Sequence, residues 1–128
     1  MIPGEQNLFD LTFLEQMDDK DFIVQVISLY LRDTQTDLDD VKRAFENNEI
    51  ETVYKTCHKL KSSTGMLQAN GLYALLEKTE KTAKADGNRQ QVGELLVSVY
   101  AAFNTLKPAL DEHLLSLQAT SWSTIRKI

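Results

Sequence analysis

The chain has 128 residues and a formal net charge of -5, from 19 acidic and 14 basic side chains, with 42% apolar and 26% charged positions. That length and composition suit one folded domain, and the acidic balance argues against general binding to nucleic-acid phosphates. The lone cysteine, Cys57, excludes an internal disulfide and a multi-cysteine zinc site and fits a reducing, cytoplasmic setting. The N-terminus lacks the basic and apolar regions of a signal peptide, and no apolar run is long enough for a membrane span.

Gly and Pro are sparse, and apolar residues recur every three or four positions, so only helices are expected. Asp10 is positioned to cap a short helix carrying Phe13 and Leu14. Asp18, Asp19 and Asp21 crowd a second helix start, where the helix dipole favours acids. The stripe Ile23, Ile27, Tyr30, Thr34, Leu38, Val41, Phe45 then predicts one long helix, roughly 21–46, ended by Asn47-Asn48. A third helix begins near Glu49 with the stripe Ile50, Val53, Cys57, Leu60, Thr64, Leu67, and ends between Gly65 and Gln68. The fourth begins at Ala69 to Gly71, buries Leu72, Leu76, Thr79 and Ala83, and has Gly87 as a left-handed stop. The fifth carries Val92, Leu95, Val99, Phe103, Leu106, Leu110, Leu114 and Leu117, with a kink or break expected at Pro108. Residues 118–128 show no period and are expected to fray, with Trp122 available to dock on the bundle. Four striped helices joined by short turns predict an all-α protein, an antiparallel four-helix bundle with one short extra N-terminal helix, spanning 1–128 as a single domain.

Charge is unevenly spread. Residues 1–50 carry a net -8, residues 51–61 a net +2, and residues 62–128 a net +1. The basic spot is Lys55, Lys59 and Lys61, around His58. On a helical wheel the third helix's stripe centres roughly 120° from His58, which turns the ring outward. One turn on lies Ser62, and then Gly65, both weak helix formers that leave the imidazole uncovered. A neutral imidazole is a good nucleophile, and phosphoryl transfer asks mainly for positioning and positive charge. Lys61 is the candidate for that charge, with Lys55 and Lys59 at longer range. Neither G-x-x-x-x-G-K-[ST] nor G-x-G-x-x-G occurs, so a phosphoryl group would arrive from another protein.

The run His58-Lys59-Leu60-Lys61-Ser62-Ser63-Thr64-Gly65-Met66-Leu67-Gln68-Ala69 resembles the signature of the histidine-containing phosphotransfer (HPt) domain, roughly H-x-L-K-G-S-S-x-x-L-G-A. The resemblance covers residues 8–115 and departs at Ser62 and Gln68, where the family usually has glycine. It implies that His58 accepts a phosphoryl group from the aspartate of one receiver domain and passes it to another, with Lys61 supporting the phosphoryl oxygens. The implied partners are receiver domains of response regulators or hybrid histidine kinases, docking through Lys55, Lys59, Ser62 and Gly65. The implied protein is a monomeric carrier without kinase or ATPase activity and without a cofactor of its own, the magnesium ion belonging to the receiver.

Several plainer readings stand beside this one. A non-catalytic adaptor could keep the bundle and docking face without a phosphohistidine, and the chain could be a module of a larger kinase, although Met1 and the lack of a linker favour a free-standing protein. Lys55 and Lys59 read equally as solvated residues, and Tyr54 as core or as a wall beside His58. His113, between acidic neighbours, reads as structural, Cys57 as a buried apolar residue, and two histidines without convergent carboxylates argue against a metal site.

Overall fold

The computed structural model describes residues 8–85 and 88–126, with 119–126 described by backbone alone. It contains α1 (Thr12–Glu15), α2 (Lys20–Glu46), α3 (Ile50–Met66), α4 (Asn70–Ala85) and α5 (Arg89–Arg126). The last four pack in a closed ring, α2 on α3, α3 on α4, α4 on α5 and α5 on α2, and α1 lies against α2. This is the antiparallel four-helix bundle with a short N-terminal helix that the stripes predicted.

The helix ends follow local chemistry. Asp10 accepts from the Thr12 N–H at 2.9 Å, one residue before the cap position of α1. Asp19 caps α2, accepting from the Phe22 N–H at 3.0 Å. At the other end of α2, Asn48 has a left-handed φ of 60°. The Asn48 N–H donates to the Phe45 carbonyl and the Glu49 N–H to that of Ala44, so the last carbonyls are satisfied and the chain reverses. Arg89, at the start of α5, donates to the Phe45 carbonyl at 2.8 Å and lies 4.2 Å from the centre of the Phe45 ring.

Gln68 closes α3 in the same way, with φ 50°. Its N–H bonds the Gly65 carbonyl at 3.0 Å and the Ala69 N–H bonds that of Thr64 at 3.2 Å. Glutamine therefore completes the turn where glycine is the usual choice, at the steric cost of a left-handed β-carbon. Gln68→Gly is expected to stabilise the protein by about 0.5–1 kcal/mol, the steric relief less the entropy glycine loses. A thermal melt should rise by a few degrees, and an unchanged or lower midpoint would show that the Gln68 side chain has a stabilising role of its own.

The buried stripes are Ile23, Ile27, Tyr30, Thr34, Leu38 and Val41 on α2, Val53, Cys57, Leu60 and Thr64 on α3, and Leu72, Leu76, Thr79 and Ala83 on α4. The expected stripes shift by one residue in two places. Ala44 rather than Phe45 is fully buried at the end of α2, and Leu96 rather than Leu95 near the start of α5. Phe45 stays half-buried because it serves as the platform for Arg89, and a β-carbon at Gly93 would meet its ring at 3.1 Å.

α5 runs unbroken through Pro108. Leu106 and Leu110 are buried on either side of the proline. Each such burial is worth about 1.5–3 kcal/mol, enough to keep the helix continuous across one missing hydrogen bond. The helix also continues past Leu117 to Arg126, so the loss of apolar period does not end it. Gly87 and the Trp122 side chain lie outside the described residues. Among the described residues, no helix is long and apolar enough to cross a membrane.

Candidate phosphoacceptor site

His58 emerges from the middle of α3 with its side chain 69% exposed. Its Nδ1 lies 2.8 Å from Oε2 of Glu80, on α4. The other oxygen of the same carboxylate, Oε1, lies 2.8 Å from the Lys61 Nζ. Glu80 thus bridges the histidine and the lysine that follows it by three residues. Both Glu80 and Lys61 are largely covered, at 13% and 17% side-chain exposure.

The register of the α3–α4 hairpin explains this meeting. Gly65 faces Tyr73 and His58 faces Glu80, and both pairs are centred on Ala69 in the turn. Because the helices are antiparallel, a residue eleven positions before Ala69 comes opposite one eleven positions after it. Spacing within α3 alone does not point to Glu80. Folding α3 back on α4 about the Leu67–Ala69 turn would have pointed to it.

The charges around Glu80 set its ionisation. Burial alone would raise its carboxyl, but the contacts from Lys61 and His58 outweigh burial and hold it below the ordinary glutamate range. Lys61 is raised in turn by its contact with Glu80. The 2.8 Å contact with Oε1 holds the Lys61 ammonium group beside the carboxylate. Nζ also lies 6.0 Å from the centre of the Tyr73 ring, at the outer range of a cation–π contact. An ionised carboxylate only accepts hydrogen bonds, so Nδ1 is the donor to Oε2. In the neutral ring the lone pair is then on Nε2, away from Glu80.

A pH dependence follows from the Glu80 shift. Glu80 is lowered from 4.5, so its contribution to stability is present above that unfolded value and is lost as pH falls through the lower folded one. Denaturant midpoints of the wild type and Glu80→Gln are expected to converge as the medium is acidified below about pH 4.5. A gap between them that stays constant with pH would contradict this linkage.

The other lysines are also paired. Lys55 Nζ lies 2.6 Å from Glu51 and Lys59 Nζ lies 3.1 Å from Asp37 of α2. The local excess of +2 in residues 51–61 is therefore offset in space by Glu80 and Asp37, both distant in sequence. Ser62 is exposed one turn beyond His58, and Gly65 is half-buried against Tyr73. Tyr54 is half-buried against the core around Val53 and Ala83. His113 stacks edge-on against Phe9 at 6.0 Å, and Cys57 is fully buried with its thiol pushed up to about 12 by desolvation. Among the described residues no cluster of three or more His, Cys, Asp or Glu side chains could hold a metal ion.

On the other flank of α3 an open groove separates it from α2. Tyr30 and Leu60 floor it, and Leu29, Met66, Asp37 and Lys59 edge it. The Tyr30 hydroxyl bonds Thr64 at 2.8 Å beneath the groove, fixing the spacing of the two helices. Leu29 and Met66 are 38% and 43% exposed, well above a core leucine or methionine.

The Hpt domain family model matches residues 25–120, which include α3, α4 and the His58–Glu80–Lys61 cluster. The chain belongs to the Hpt domain family. Its role is that of a phosphorelay carrier, and Hpt domains interact with receiver domains. Among solved structures, a rice protein designated a histidine-containing phosphotransfer protein has the same fold, with a TM-score of 0.82. The two share 20% sequence identity over 91% of this chain and 86% of the rice chain. No curated protein matches the sequence.

Proposed function

We propose that His58 is the phosphoacceptor of this Hpt domain and that Nε2 is the atom phosphorylated. The observation that carries the reading is the Glu80 bridge. By accepting from Nδ1 it leaves Nε2 as the free nucleophile, and by holding Lys61 it parks an ammonium group three residues from the ring. A receiver aspartyl phosphate would present its phosphorus to Nε2, and Lys61 would approach the phosphoryl oxygens as charge develops there. The bundle has no nucleotide motif, so the reading assigns it no kinase or ATPase activity of its own. The magnesium ion that supports receiver chemistry would belong to the partner.

The docking face follows from the same geometry. The exposed Leu29 and Met66 supply apolar area in the α2–α3 groove, on the flank of α3 away from Glu80, and the small Ser62 and Gly65 follow the histidine along α3. Lys55 and Lys59 would steer the acidic pocket of a receiver. The Lys55–Glu51 pair is exposed and worth about 0–1 kcal/mol, so a partner's carboxylates can replace it at little cost, whereas Lys59 is held by the largely covered Asp37. The test is incubation with a phosphorylated receiver domain. Acid-labile, base-stable label should move onto this protein and then to a second receiver. A protein that binds receivers without taking label would be an adaptor.

A further inference from the structure

We propose that Glu80 keeps the Nδ1 proton on the imidazole throughout phosphorylation, so that the phosphoryl group can be given back without any proton transfer. The inference rests on His58 as the phosphoacceptor and assigns Glu80 the part of a positioning residue, acting through the ring rather than on phosphorus.

The bond changes in the inward step are simple. The Nε2 lone pair attacks phosphorus, the P–N bond forms, the P–O bond to the receiver's aspartate breaks, and the aspartate leaves as a carboxylate. Nδ1 still carries its proton, so the ring is a phosphorylated imidazolium with one positive charge. In the outward step a receiver carboxylate attacks phosphorus, the P–N pair returns to Nε2, and a neutral imidazole leaves. If the Nδ1 proton were lost between the two steps, the leaving group would be an imidazolate anion, a far stronger base and a far poorer leaving group. An anionic acceptor held on Nδ1 prevents that loss.

Glu80 is suited to the task by its placement. It is ionised, 13% exposed, and 2.8 Å from Nδ1, so it is a charged acceptor in a poorly hydrated position. The surrounding charges do not duplicate it. On α3, Lys61 shares the Glu80 carboxylate and Lys55 is held by Glu51. On α4, Glu77 is paired with Lys81, and on α2, Asp37 is paired with Lys59. Lys61 has a matching advantage. When a phosphoryl group arrives, Nζ can turn toward it, and Glu80 is then left to compensate the new positive charge on the ring.

The experiment phosphorylates the full chain with phosphoramidate, a small-molecule donor that needs no receiver, and follows the imidazole nitrogens by 15N NMR. In the wild type the phosphoryl group should be on Nε2 with Nδ1 protonated. Glu80→Gln retains an oxygen that accepts from Nδ1 but removes the charge. Its Nδ1 deprotonation midpoint is expected to fall by about one pH unit, the lower end of the effect of a close opposite charge. The pH profile for phosphoryl return to a receiver should move to acid by the same amount, so that the rate falls by up to about tenfold at a pH above both midpoints. Glu80→Asp should fall between the two and serves if Glu80→Gln does not fold. Equal midpoints in Glu80→Gln (or Glu80→Asp) and wild type would overturn the inference, as would wild-type label on Nδ1 or no label on His58. Label on His58 that no receiver can remove, with the expected midpoint shift intact, would instead overturn the carrier reading and leave this one standing.

Discussion

Replacing His58 with glutamine is expected to abolish phosphoryl labelling while leaving the bundle folded. The two halves of that expectation have separate grounds. The amide of glutamine has no nucleophilic lone pair comparable to that of Nε2, so the loss should be complete rather than partial. The ring makes one hydrogen bond, to Glu80, and is 69% exposed, and a glutamine amide can donate to the same carboxylate. Exposed substitutions of this kind usually change stability by less than about 0.5 kcal/mol. A label-transfer assay from a phosphorylated receiver, run beside a thermal melt, tests both halves. His113→Gln is the control, because that ring is half-buried against Phe9 and follows Asp111 and Glu112, which repel a phosphoryl group. Label that persists in His58→Gln, or disappears in His113→Gln, would sink the assignment.

The histidine was legible in the sequence because the signal is local. One helical period decides whether residue 58 faces the core, and Val53, Cys57, Leu60 and Thr64 are all buried as that period requires. Element ends were legible for the same reason. Asn47-Asn48 and the Gly65–Gln68 region act through bonds between residues three to five positions apart. The electrostatics of the site were not local, and there the sequence misled. Three lysines in seven residues read as a positive patch, yet Lys59 meets a carboxylate 22 positions earlier and Lys61 one 19 positions later. Charge summed along the chain omits partners that antiparallel packing supplies. Pro108 taught the same lesson in reverse. Its local cost is real, but the buried leucines at 106 and 110 outweigh it, and no window of sequence around a proline reports how well its neighbours pack.

Lys61→Ala is expected to slow phosphoryl transfer by about 100-fold at saturating receiver, the size seen when one stabilising donor is removed from a developing anion. Receiver affinity should change by no more than a few-fold, because Lys61 is 17% exposed and contributes little surface to a docked partner. A second consequence separates this variant from a simple loss of charge. Truncation leaves Glu80, largely covered, with His58 as its remaining strong partner, so stability should fall by about 1–3 kcal/mol. The stability loss and the rate loss should respond differently to arginine. Lys61→Arg restores a cation beside Glu80 and should recover most of the stability. Its larger planar head, fitted between Tyr73 and Glu80, should recover the rate only in part, because the phosphoryl oxygens need a cation that can turn from one anion to the other. Lys59→Ala removes an equally charged neighbour on the other flank of the helix and should alter the saturated rate by no more than a few-fold. If Lys59→Ala and Lys61→Ala slow the saturated rate equally, general positive charge rather than one placed ammonium group supports transfer, and the role given to the Lys61–Glu80 pair falls. If Lys61→Ala weakens receiver binding as much as it slows transfer, Lys61 belongs to the docking face and not to the transition state.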